Sequence, residues 1–164
     1  MTDARPGPDA RPEAGSATAA GPRNGSRGID PRGPRVAAGI TCAVLALALV
    51  TGSVWVLAAQ VIVFAVGSLF GVQRSPYAWI YRRLVRPRLG PPPGLEDPAA
   101  PRFAQSVGLA VTGAALVPAV LGVDPAVSIG AGLAFVAAFL NASIDYCLGC
   151  KLYLLLARVR HRIA

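Results

Sequence analysis

The chain has 164 residues, 54% of them hydrophobic and only 15% charged, with a formal net charge of +8. Soluble domains carry about 25% charged residues. Here the apolar residues are clumped into long uncharged blocks, which excludes an ordinary soluble domain and points to an integral membrane protein. The basic residues flank those blocks, so the positive balance points to membrane topology and anionic lipid headgroups and not to nucleic acid.

Residues 1–34 are mostly Pro, Gly, Ala, Arg and Ser. They offer too little apolar surface to offset the entropy of ordering, which predicts a disordered tail. The tail is long for the n-region of a signal peptide, and no clear Ala-x-Ala site follows the apolar run after it. From Val36 to Val72 no residue is charged. A single helix over that stretch would be about 55 Å long, against a hydrocarbon core of about 30 Å. Thr51-Gly52-Ser53 interrupts the run, so it divides into spans 36–50 and 54–72.

A loop, 73–103, follows. Within it Ser75 is placed as an N-cap and Pro76 as the first residue of a short helix. Tyr77, Ile80, Tyr81, Leu84 and Val85 fall near one face, with Trp79 at its flank and Arg82, Arg83 and Arg86 mostly outside it. That pattern suits a helix in the headgroup region, the alternative being an ordinary cytoplasmic loop. The proline-rich stretch from Pro87 to Pro101 reads as a surface linker. The second apolar block is divided by Gly122-Val123-Asp124-Pro125 into spans 104–121 and 126–146. The expected architecture is all-α: an integral membrane four-helix bundle made of two helical hairpins, with a short interfacial helix between them, over 35–164.

All sixteen Lys and Arg residues lie before Val36, in the middle loop or after Cys150. With four spans these three segments share one side, and the positive-inside rule assigns it to the cytoplasm. The expectation is a multi-pass protein of the cell membrane with both termini cytoplasmic. The arginine-rich, alanine-rich composition fits a bacterial inner membrane.

Polar residues inside spans are costly and often functional. Gln60 is expected to bond across helices, as is Asn141. Asp145 falls near the cytoplasmic end of the fourth span, where its cost is small. Gly67, Gly71, Ala126, Gly130, Gly132 and Ala134 permit close helix contact, and Pro118 frees the carbonyl of Ala114. His161 stands alone in the basic tail and is not read as a ligand. The constellation with chemical content is Cys147-Leu148-Gly149-Cys150. Two thiols at i and i+3 meet on a helical turn and can exchange disulfides or hold a soft metal. Gly149 would let the backbone bend or another protein approach, Lys151 favours thiolate, and Asp145 opposes it. Counted from Ala126 along a helix, the pair lies about 32–36 Å away, at the cytoplasmic rim. Cys42 is six residues into the first span and reads as inert.

The stretches IDPRGPRVAAGI, RSPYAWIYRRLVRPRLG, PRFAQSVGL and CLGCKLYLLL resemble the bacterial membrane family catalogued as domain of unknown function 4395. The likeness runs from Ile29 to Arg160 and is most specific at Cys147, Gly149, Cys150 and Tyr153. It implies a small four-helix membrane protein. It carries no established activity, and associates the gene with thioredoxin-like and sulfurtransferase-like neighbours. Three readings follow. In the first, Cys147 and Cys150 form a dithiol that works in thiol–disulfide exchange or sulfur trafficking with a cytosolic thioredoxin-like or sulfurtransferase-like protein. The second is a small transport or soft-metal-handling protein using Asn141, Asp145 and the cysteines. The third is a structural accessory subunit without chemistry.

Overall fold

The structure, a computed structural model, describes residues 28–163 apart from 93 and 124. The tail expected to be disordered lies outside the described residues up to position 27, as does Asp124. The same holds for the side chain of His161.

Each long helix starts or stops for a local reason. Before α1 (Arg32–Thr51), Asp30 Oδ1 accepts the backbone N–H of Arg32 at 3.0 Å. Pro34 sits in the first turn, where a missing N–H has no helical partner to lose. Gly52 closes α1 in the left-handed region, with φ 62°. Ser53 then caps α2 (Val54–Leu69), its hydroxyl accepting the N–H of Val56. A single 3-10 turn leads to α3 (Pro76–Ile80), which runs on through a π-helical turn, Tyr81–Val85, and a 3-10 turn, Arg86–Arg88. Helices α4 (Ala99–Val120), α5 (Pro125–Ile144) and α6 (Leu148–Ile163) complete the chain.

Among the described residues the regular structure is all helical, and the one extended pairing is an isolated bridge between Ile29 and Glu96. Helices α1, α4 and α5 are long and apolar enough to cross a membrane. At 16 residues α2 is a shorter apolar helix, about 24 Å long against a core of about 30 Å.

The expected boundaries need four corrections. Helix α2 stops at Leu69, not 72, because Gly71 turns the chain with φ 93°. Helix α4 starts at Ala99, inside the expected linker, because Asp97 Oδ1 accepts the Ala99 N–H at 2.8 Å and Pro101 is tolerated in the first turn. Ser75 holds the N-cap position of α3, but its side chain makes no capping bond. The fourth span ends at Ile144, not 146, because Asp145 takes φ 56° and reverses the chain. The expected bend at Gly149 is therefore absent; the break precedes the cysteines and a separate helix carries them.

Helix α1 packs on α5 and α2, and α4 packs on α2 and α5. Leu45, Ala48, Leu57, Ala119, Ala126, Val127, Ala131 and Ala134 form the buried core. Large apolar side chains point outward instead. Trp55 is 84% exposed and Leu121 77%, while Ile62, Val117, Ile129, Leu133 and Phe139 are all exposed. An apolar exterior over a small-residue interior suits a lipid surround.

The helices also repeat. Asp30-Pro31-x-x-Pro34-Arg35 recurs as Asp97-Pro98-x-x-Pro101-Arg102. Each copy opens a helix with the aspartate accepting an N–H two residues on. The residues just before the two aspartates, Ile29 and Glu96, exchange both backbone hydrogen bonds at 2.9 Å. Arg35 donates to the carbonyls of Ala142 and Ser143 at the end of α5. Arg102 donates to those of Ser68 and Leu69 at the end of α2. In each case a cation meets the negative end of a helix. These bonds gather the start of α1, the end of α2, the start of α4 and the end of α5 at one end of the molecule. Helix α3 lies on α1 as α6 lies on α4.

Candidate functional site

The chain leaves α5 at Asp145, and the N–H of Tyr146 donates to the Leu140 carbonyl at 3.3 Å. Cys147 is then the N-cap residue of α6: its carbonyl accepts the first helical bond, from the N–H of Lys151 at 3.0 Å. Its sulfur takes the role that a serine or aspartate oxygen usually fills. The N–H of Cys150 donates to Cys147 Sγ at 3.3 Å. Cys147 and Cys150 are paired, their Cα atoms 5.2 Å apart, within the range that a disulfide spans. Both are half-buried.

Gly149 is what lets α6 sit where it does. A Cβ there would meet Cα and Cβ of Ala104, on α4, each at 2.6 Å. The close approach is to a helix of the same chain. One turn on, the rings of Tyr153 and Phe103 lie 5.7 Å apart and tie α6 to α4 again. Lys151 does not reach a sulfur. Its ammonium lies 5.8 Å from the centre of the Tyr146 ring, a cation–π distance.

The cysteines border a cavity of about 360 Å³ between α1, α4, α5 and α6. Asn141, Asp145, Cys147, Gly149, Cys150 and Lys151, all singled out from the sequence, line this one cavity. The structure adds residues that the sequence reading missed: Arg35 and Thr41 from α1, Glu96, and Gln105 from α4. Arg35 had a signal, since it closes the Asp-Pro-x-x-Pro-Arg repeat. Gln105 had none; its Oε1 is buried without a hydrogen-bond partner. The lining also includes the apolar residues Phe64, Val111, Leu133, Ala134 and Leu154. Cys42 is a half-buried free cysteine and does not line the cavity, whereas its neighbour Thr41 does.

Gln60 finds its partner outside the long helices. Tyr77, on α3, donates its hydroxyl to Gln60 Oε1 at 2.7 Å. Tyr81 donates to Asp30 Oδ2 at 2.7 Å. Both rings are buried, while Trp79 and Leu84 on the same segment are exposed. The segment expected to rest among headgroups is thus anchored to the bundle by two tyrosines one turn apart.

Among the described residues, no group of three or more His, Cys, Asp and Glu is placed to hold a metal ion. Residues 29–158, most of the chain, match the family model described as domain of unknown function DUF4395. The chain belongs to this family. Neither a curated protein nor a solved structure matches it.

Proposed function

We propose that the chain is a multi-pass protein of the bacterial inner membrane that exchanges disulfides through Cys147 and Cys150 at its cytoplasmic face. In this reading α1, α2, α4 and α5 cross the bilayer as two hairpins over 35–164. Residues 1–34, the loop 73–103 and the C-terminus are cytoplasmic. The support is the segregation of Lys and Arg, together with the arginine bonds that bring four helix ends to one side.

The observation that carries the chemistry is the hydrogen bond from the Cys150 N–H to Cys147 Sγ at the start of α6, on the rim of a cavity. In this reading Cys147, at the N-terminus of α6, is the attacking thiolate and Cys150 the resolving thiol. The Cys147 thiolate attacks one sulfur of a partner disulfide. A new S–S bond forms, and the partner's other sulfur leaves as thiolate. The Cys150 thiolate then attacks Cys147 Sγ and releases the partner's second thiolate. The partner disulfide is reduced to a dithiol and the Cys147–Cys150 pair is oxidised. The reverse sequence passes two electrons from a partner dithiol to this chain. A cytosolic thioredoxin-like or sulfurtransferase-like protein is the class of partner with matching chemistry.

The test is trapping. A Cys150→Ser variant keeps the attacking sulfur and lacks the resolving one, so it accumulates a mixed disulfide through Cys147, seen on a non-reducing gel of isolated membranes. A Cys147→Ser variant accumulates far less. If neither variant traps a partner, and neither thiol is alkylated by a membrane-impermeant maleimide in inside-out vesicles, the exchange reading is wrong.

A further inference from the structure

We propose that the cavity beside the cysteines takes the ring of a lipid-soluble quinone, and that this quinone reoxidises the Cys147–Cys150 dithiol. The proposal rests on the exchange reading above and names where the electron pair goes next.

Three observations point to this class of acceptor. The cavity is bordered by the dithiol, and apolar side chains, among them Phe64 and Val111, make up most of its lining. A small sulfur anion would need a polar cradle through its depth; a substituted aromatic ring with a hydrocarbon tail suits apolar walls. The cavity lies among helices whose outer faces are themselves apolar, a surround in which a lipid-soluble molecule is concentrated. Its volume, about 360 Å³, falls in the range of small-molecule sites, about 300–1,000 Å³.

The internal repeat supplies an independent argument. Ser75 and Cys147 are the N-cap positions of α3 and α6. Counting from them, Tyr81 corresponds to Tyr153, and Tyr77 corresponds to Gly149. In the first half the Tyr77 ring is buried and its hydroxyl reaches Gln60. In the second half the same position has no side chain: its backbone lies against Ala104 of α4 and also borders the cavity. The first half thus holds an aromatic ring of its own at that position, and the second holds none there. Gln105, whose Oε1 is buried without a partner, and Arg35 line the cavity and would supply polar groups for the two ring oxygens; Arg35 also holds the Ala142 and Ser143 carbonyls, and its charge is opposed by Glu96 and Asp145 on the same lining.

The step balances without another reactant. The Cys147 thiolate adds to a ring carbon, forming a C–S bond. The Cys150 thiolate attacks Cys147 Sγ; the S–S bond forms, the C–S bond breaks, and its electron pair stays on the ring. The two protons lost by the thiols end on the two ring oxygens. Dithiol and quinone become disulfide and hydroquinone.

The experiment uses the full chain in detergent micelles, reduced, freed of reductant and kept anaerobic. The probe is a fully ring-substituted benzoquinone with a decyl tail, followed by its absorbance, with thiols counted by maleimide mass shift. The expected result is one quinone reduced per Cys147–Cys150 disulfide formed. Ala137→Phe and Ala138→Phe, which fill the cavity from α5, slow that reaction about tenfold or more while both proteins still form the disulfide with oxidised dithiothreitol. Leu47→Phe, on the outer face of α1, leaves the quinone rate unchanged. If wild-type protein is oxidised by oxidised dithiothreitol but not by the quinone, or if both filled variants react with quinone at the wild-type rate, the proposal is overturned and the exchange reading stands. If neither oxidant forms the disulfide, the exchange reading falls and the quinone proposal with it.

Discussion

Tyr77 and Gln60 are joined by a buried hydrogen bond of 2.7 Å that fastens the short helix α3 to the side of α2. Gln60 is fully buried, and its Nε2 already lacks a partner. Tyr77→Phe would leave Oε1 without a partner as well. The expected cost is about 1–3 kcal/mol, the range for an orphaned buried polar group. Adding Gln60→Leu to Tyr77→Phe should recover part of the loss, because a buried apolar pair needs no partner. Unfolding of the three variants in one detergent checks this. A double variant no more stable than Tyr77→Phe alone would refute it.

Tyr81 predicts an alkaline weakness. Burial first, then its hydrogen bond to Asp30 and the charge of that carboxylate, push the Tyr81 hydroxyl up to about 12 from an ordinary 10.0, with Arg32 and Arg86 opposing. The folded state therefore keeps a proton that the unfolded state releases from about pH 10 upward. The stabilisation from this group is complete below pH 10 and is lost as pH rises through 12. Asp30→Asn removes the charge and should bring the Tyr81 value down. The difference in tyrosinate absorbance between each protein and its Tyr81→Phe counterpart measures it.

Gly149→Ala forces a methyl group into the backbone of Ala104. Overpacking of this kind costs about 1–3 kcal/mol, and here it pushes the start of α6 off α4. Mixed-disulfide trapping should fall together with thermal stability. Ala104→Gly in the same chain should restore both in part. A Gly149→Ala protein that traps as well as wild type would mean that α6 need not sit on α4 for exchange.

The proposed topology makes a separate prediction. Reporters fused after Ser53 or Asp124 should behave as exported, and those fused after Pro92 or Ala164 as cytosolic. A cytosolic signal after Asp124 would remove the cysteines from the cytoplasmic face.

Much of this architecture was readable from residue order, and the failures have local causes. The turn at Gly52-Ser53 and the start of α5 at Pro125 were visible because glycine and proline punctuate an otherwise apolar text. The stop after Ile144 was not, because an aspartate in the left-handed region carries no such mark. Cys147 and Cys150 were visible as a pair. The capping role of Cys147 was not, since cysteine is outside the usual capping set of Ser, Thr, Asp and Asn. The bonds of Tyr77 and Tyr81 were not legible, because their partners, Gln60 and Asp30, are 17 and 51 residues away. The repeat of Asp30–Arg35 at Asp97–Arg102 needed only a comparison of the chain with itself.

That repeat gives the molecule a division of labour. Both halves enter through the same device and carry a third helix on the first. In one half Tyr77 and Tyr81 lock that helix to its surroundings; in the other, Cys147 caps the helix and Gly149 lets it press against Ala104. Damage to the first half should therefore register mainly as lost membrane protein, and damage to the second mainly as lost reaction, with lost protein as well where packing is hit, as at Gly149. A collection of random variants, scored separately for abundance and for thiol exchange, should split along the sequence near Glu96.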